Sequence, residues 1–157
     1  MGGCHSAQEI GLVEALKEGN YNYIDRSKMT PREGLLASYD ADVFLSSANA
    51  MTSDGILVNI DGNSNRVSCI AQGPKKVIFI VGMNKVCSDI DSAMKRARNI
   101  AAPTNAQNFD VKTPCKTTGK CFDCKSPDTL CCQFLITRYS RHVGRIHVIL
   151  VNDTLGY

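Results

Sequence analysis

Five of the chain's eight cysteines fall within residues 115–132, and no other feature constrains the chain as much. The segment reads CKTTGKCFDCKSPDTLCC. Cys115, Cys121, Cys124 and Cys131 are spaced C-x5-C-x2-C-x6-C, and Cys132 follows as a spare. The CxxC pair, Cys121 and Cys124, lets two thiolates reach one metal from a single tight turn. Gly119 and Pro127 supply loop geometry, and Lys116, Lys120 and Lys125 offset thiolate charge. Four thiolates suit a tetrahedral zinc or an iron–sulfur cluster. The spacing lies near the C-x4-C-x2-C run of plant-type ferredoxins without matching it. Zinc sites more often carry two separated CxxC pairs, and here there is one. A redox or purely structural thiol cluster is the third reading.

A secreted disulfide scaffold explains the cysteines poorly, because such chains are shorter and spread their cysteines throughout. The first residues also lack a basic stretch followed by an apolar one, so no secretory signal is expected. The expectation is a cytoplasmic protein with reduced thiols. Cys69 and Cys87 lie in or beside apolar segments and read as small core hydrophobes. At 157 residues, 43% hydrophobic and 21% charged, the chain suits one globular domain over 1–157. A net charge of +3 is too mild to argue for nucleic acid. No apolar run approaches the ~20 residues of a membrane span.

Ser6, Ala7, Gln8 and Glu9 form a capping-box pattern, and Ile10, Val13 and Leu16 then mark one helical face up to Gly19. Thr30, Pro31, Arg32 and Glu33 repeat the signal for a second helix to about Ser38. Apolar runs at 43–45, 56–60 and 75–82 read as strands, the last nearly continuous, as in a sheet covered on both faces. Ser88, Asp89, Ile90 and Asp91 open a helix that Pro103 should close. Strands follow at 133–139 and 146–151, joined by a turn at 142–144. The short turn predicts that they pair, giving a mixed sheet in an α/β layered domain.

Two further motifs point to small-anion binding. Gly2 and Gly3 precede the first helix, so backbone N–H groups at Gly3, Cys4 and Ser6 would face a phosphate or carboxylate. Met1, Gly2 and Ser6 also fit a lipidation pattern with Cys4 as a second acceptor, although a helix so close behind favours a folded segment. Asn49, Asp54, Gly55, Asp61, Asn65 and Arg66 lie at or beyond the ends of apolar strands, where open α/β sheets place ligands. Arg66 could hold a carboxylate or phosphate bidentately. The alternative is ordinary turns with a surface arginine. His5, His142 and His147 read as structural or solvated. There is no P-loop, dinucleotide fingerprint or Ser/His/Asp arrangement.

Taken together these stretches resemble the LUD domain, the lactate-utilisation protein family. The matching residues are Gly2-Gly3-Cys4-His5-Ser6, Ile24-Asp25-Arg26, Ser46-Ser47-Ala48-Asn49-Ala50 and Asp54-Gly55-Ile56-Leu57-Val58-Asn59. Gly73-Pro74-Lys75-Lys76-Val77, Arg98-Asn99-Ile100-Ala101-Ala102-Pro103 and the cysteine run continue the match. The resemblance implies a three-layer α/β/α fold with a mixed, mostly parallel sheet, like that of sugar-phosphate isomerases and CoA-transferases. It implies a link to lactate oxidation beside iron–sulfur partner subunits, and it favours iron–sulfur over zinc for Cys115, Cys121, Cys124 and Cys131. Family members usually carry several dozen residues ahead of the Gly-Gly loop, so a fragment or truncation is expected here. Cys4 stands where serine is more usual.

The leading expectation is a redox-associated protein of lactate or related hydroxy-acid metabolism. It would hold a cluster next to a small anionic metabolite, with iron–sulfur subunits or a second copy as partners and neither nucleic acid nor membrane. One alternative is a non-catalytic assembly subunit with structural zinc. Another is a non-redox acyl- or sugar-phosphate-handling enzyme, ranked last because no glutamate is placed as an acyl acceptor.

Overall fold

The protein is described by a computed structural model covering residues 4–157. Gly2 and Gly3, and with them the loop expected ahead of the first helix, lie outside the described residues. Helices α1 (His5–Glu9), α2 (Leu12–Glu18) and α3 (Pro31–Tyr39) lead into strands β1 (Val43–Ser46), β2 (Ala50–Thr52) and β3 (Leu57–Asp61). Helix α4 (Asn65–Ala71), β4 (Lys76–Gly82), β5 (Val86–Cys87) and α5 (Ile90–Arg96) follow. A π-helical turn (Ala97–Ala101), α6 (Ala102–Ala106), α7 (Pro114–Thr118), β6 (Gln133–Thr137) and β7 (Ile146–Val151) complete the order. The chain divides into two compact units, and α4 carries it from one to the other.

The first unit comprises residues up to Ser47, Ser68–Asn84 and Ser140–Gly156. Its sheet has the order β1-β4-β7, parallel throughout, with Phe44 opposite Val77 and Phe79 opposite Val148. Central β4 is the strand whose apolar run is nearly unbroken, and Val77, Phe79 and Val81 are fully buried. Helix α1 packs on β4, where Cys4, Ala7 and Val13 join Ile80 and Leu155 in one core cluster. Gly82 is the last residue of β4, and a Cβ there would meet Leu155 N at 2.7 Å and Asp153 O at 2.9 Å, so no side chain fits.

The second unit comprises Ala48–Val67 and Lys85–Tyr139, with Tyr157. Its four strands run β5-β2-β3-β6, antiparallel at β2/β3 and β3/β6 and parallel at β2/β5. Helix α5 and the π turn lie on this sheet, where Ala93 and Ala97 bury against Ala50, Val58 and Ile60. The α/β class with mixed, mostly parallel pairing is therefore what the structure shows, and each unit sets helices against its own sheet.

Several local expectations are corrected. The first helix is two helices, broken at Gly11, whose φ of 71° is left-handed. Ser6 is not its cap: Cys4 holds that position, and Ser6 is buried inside α1, its hydroxyl 3.3 Å from Ser47 Oγ. At Thr30 the capping box does form, with both reciprocal bonds to Glu33. Pro103 does not end its helix, because the π turn absorbs it. The last π bond runs from Ala102 N–H to Ala97 O, so the donor that proline lacks falls where the ladder is already changing register. Finally, β6 and β7 belong to different sheets and do not pair, despite the short connection.

Candidate metal centre

The second unit gathers the cysteine run around one small cavity. Thr113 precedes α7, Pro114 takes its first position, and Gly119, with φ 70°, closes it. The segment is thus part helix, and Cys115 sits in that helix with its sulfur 3.4 Å from Thr113 Oγ1. The chain then turns sharply through Cys121 and Cys124. Asp123 adopts φ 52°, a left-handed value that aspartate tolerates better than most residues, and its N–H donates to Cys121 Sγ at 3.4 Å. Thr129 ties the far side together: Cys124 Sγ donates to its hydroxyl at 3.7 Å, and Cys131 N–H does so at 3.3 Å. Cys132 N–H bonds Asp61 O at 2.9 Å and so anchors the entry to β6.

Cys115, Cys121, Cys124 and Cys131 all line this cavity of about 30 Å3, together with Arg98 and Phe122. Cys132 does not line it, and its thiol donates instead to Thr129 O at 3.6 Å. Burial first, and then the neighbouring thiols, push the Cys131 thiol up to about 11. Arg98 reaches the same group: its Nη2 donates to Cys121 Sγ at 3.6 Å and to Asp123 Oδ1 at 2.6 Å. The Cys121 sulfur and the Asp123 carboxylate hold this guanidinium above its usual range. The thiols converge without closing: among the described residues, no three His, Cys, Asp or Glu side chains form an assembled metal-ligand group. Convergence on one cavity and the lack of a finished ligand shell are both properties of this loop. A sulfur-only donor set facing one space fits a thiolate-bound metal in its chemistry.

The residues expected to hold a small anion divide between the two units. Cys4 and Ser6 belong to the first unit, and the others described belong to the second. Cys4 is core, and Ser6 is spent on Ser47 and Leu155 O. Asn49 Oδ1 accepts from Ile60 N–H at 2.8 Å and from Arg66 at 3.3 Å. The Asp61 carboxylate accepts from the N–H groups of Asn63, Arg66 and Val67 at 2.9–3.1 Å. Arg66 also donates to Ile60 O. Asp54 pairs with the Thr52 hydroxyl, and Gly55, at φ 99°, makes the turn between β2 and β3. Asn65 begins α4. These groups hold β2, β3 and the start of α4 together.

Arg98 was not legible as a site residue, since a regular α-helical period gives it only a place among basic groups near a helix end. The available signal was Pro103 inside an otherwise helical run, which marks a place where the ladder changes. Neither Cys69 nor Cys87 lines the cavity, and burial raises both thiols. All eight cysteines are free thiols. No helix among the described residues is long and apolar enough to cross a membrane.

A family model described as the LUD domain matches residues 1–151. No curated protein and no solved structure matches the chain.

Proposed function

The chain belongs to the LUD domain family, which is associated with lactate utilisation, and we propose that it serves such metabolism as a redox protein holding an iron–sulfur cluster. Cys115, Cys121, Cys124 and Cys131 are the ligands. The observation that carries this reading is that four thiols from α7, the CxxC turn and the entry to β6 line a single cavity. When bound, the cluster supplies one-electron transfer. The chain's own residues do the rest. Thr113 and Thr129 orient sulfurs, Arg98 brings positive charge beside Cys121, and Phe122 and Phe134 form an apolar wall. Ligation requires thiolates, so loading releases protons and is favoured as pH rises.

A second reading is structural zinc, because four thiols facing one space also make a tetrahedral zinc donor set. Anaerobic purification followed by iron, sulfide and zinc analysis separates the two. The expected result is iron with acid-labile sulfide in a brown protein. A colourless protein retaining one zinc overturns the cluster and leaves the thiol site, and a protein without metal overturns both.

A further inference from the structure

We infer that Arg98 is the positioning residue of the thiol centre: by bridging Cys121 and Asp123 it holds the CxxC turn in its metal-binding conformation before the metal arrives. The inference rests on the metal-centre reading and adds a residue outside the cysteine run. Three observations carry it. First, the Arg98 guanidinium binds two groups of the same turn, the Cys121 sulfur at 3.6 Å and the Asp123 carboxylate at 2.6 Å. Second, Asp123 is one of two non-glycine residues with positive φ among the described residues, the other being Ser64. That conformation, which is costly for an L-residue, points its N–H at Cys121 Sγ, so the sulfur receives two N–H donors. Both bonds strengthen as the sulfur gains negative charge, which is what metal ligation brings. Third, Arg98 lies in the π turn Ala97–Ala101, and such turns place side chains where a regular helix would not. The small residues Ala97 and Ala101 stay buried while Arg98 reaches the cavity.

The bridge contributes little to the fold itself. The Arg98 and Asp123 side chains are 33% and 72% exposed, and an ion pair so placed is largely screened by solvent. Its effect should therefore appear in metal affinity more than in stability, as for groups that orient metal ligands elsewhere.

The test uses the metal-free full chain and Co2+ as probe, since its thiolate charge-transfer bands report sulfur ligation whichever metal is native. Arg98→Gln should weaken Co2+ binding by about 10- to 100-fold. Arg98→Lys should recover only part of this, because a lysine lacks the planar fork that spans two acceptors. Asp123→Asn should weaken binding in the same direction, and the double variant should be no worse than Arg98→Gln alone, as expected of two members of one bridge. Thermal unfolding of the metal-free variants should stay within a few degrees of the parent. If the parent chain binds Co2+ with these bands and Arg98→Gln binds within twofold of it, the Arg98 inference is overturned while the metal centre stands. If the parent shows no thiolate bands, the metal-centre reading itself fails. A loss of affinity matched by a large drop in unfolding temperature would also overturn the inference, by assigning Arg98 to the fold.

Discussion

If the thiol loop holds the metal proposed, Cys121→Ala or Cys124→Ala should abolish metal retention, whereas Cys69→Ala or Cys87→Ala should leave it unchanged. The expected size follows from how thiolate sites store their energy. A four-ligand structural zinc site is worth about 10–16 kcal/mol, so one ligand carries roughly 2.5–4 kcal/mol, or about 60- to 700-fold in affinity. Cys121 and Cys124 sit on one turn and line the same cavity, so each removal leaves an incomplete shell. Cys69 is fully buried in the first unit, and Cys87 flanks the core of the second, with neither facing the cavity. Cys131→Ala should behave like Cys121→Ala. Cys132→Ala should not, because its thiol turns to Thr129 O. Metal-to-protein ratios measured after identical anaerobic handling decide the matter. Retention in Cys131→Ala with loss in Cys132→Ala would move the fourth ligand by one position.

The second large effect lies on the fold. Asp61→Ala should destabilise the protein by about 3 kcal/mol or more. Its buried carboxylate accepts three backbone N–H groups, those of Asn63, Arg66 and Val67, at the step from β3 into α4. Hydrogen bonds to a charged acceptor are each worth about 1.5–3 kcal/mol, and alanine leaves the donors without this partner. Asp61→Asn keeps one carbonyl acceptor and should cost roughly half as much. Chemical denaturation of the two variants measures both. If Asp61→Ala unfolds at the parent's denaturant midpoint, Asp61 is not the structural anchor its bonds describe, and the ligand role is favoured instead.

What the sequence made legible divides along a physical line. Strands β1, β3, β4, β6 and β7 were found because continuous apolar runs bounded by turn residues have few other uses. The capping box at Thr30 was found because its two bonds are local. Ser6 and Glu9 show the same pattern, yet long-range packing overrides it. Burial of Ala7 on β4 draws Ser6 into the helix, and the Glu9 carboxylate accepts instead from Gly156 N–H. Strand β2, only three residues long, was missed because Ala50, Met51 and Thr52 carry no alternation. The pairing of β6 with β3 rather than β7 was also missed, because strand neighbours depend on contacts remote in sequence.

The candidate site shows the same division. Cysteine spacing identified the four thiols around the cavity, since chain geometry limits what a CxxC turn can reach. Asn49, Asp61 and Arg66 read as ligand groups because they are polar and follow apolar strands. The same position is where a chain leaving a strand needs side chains to satisfy its backbone, and these residues do that. Arg98 was hidden by a π turn that no residue period announces.

X-ray absorption at the iron edge, on protein purified anaerobically, reads the ligands of the thiol loop. The expected spectrum shows iron in a first shell of sulfur alone, with a second iron scatterer behind it, and Cys121→Ala loses that signal. An iron shell of nitrogen and oxygen, or a zinc edge with no iron, would contradict it.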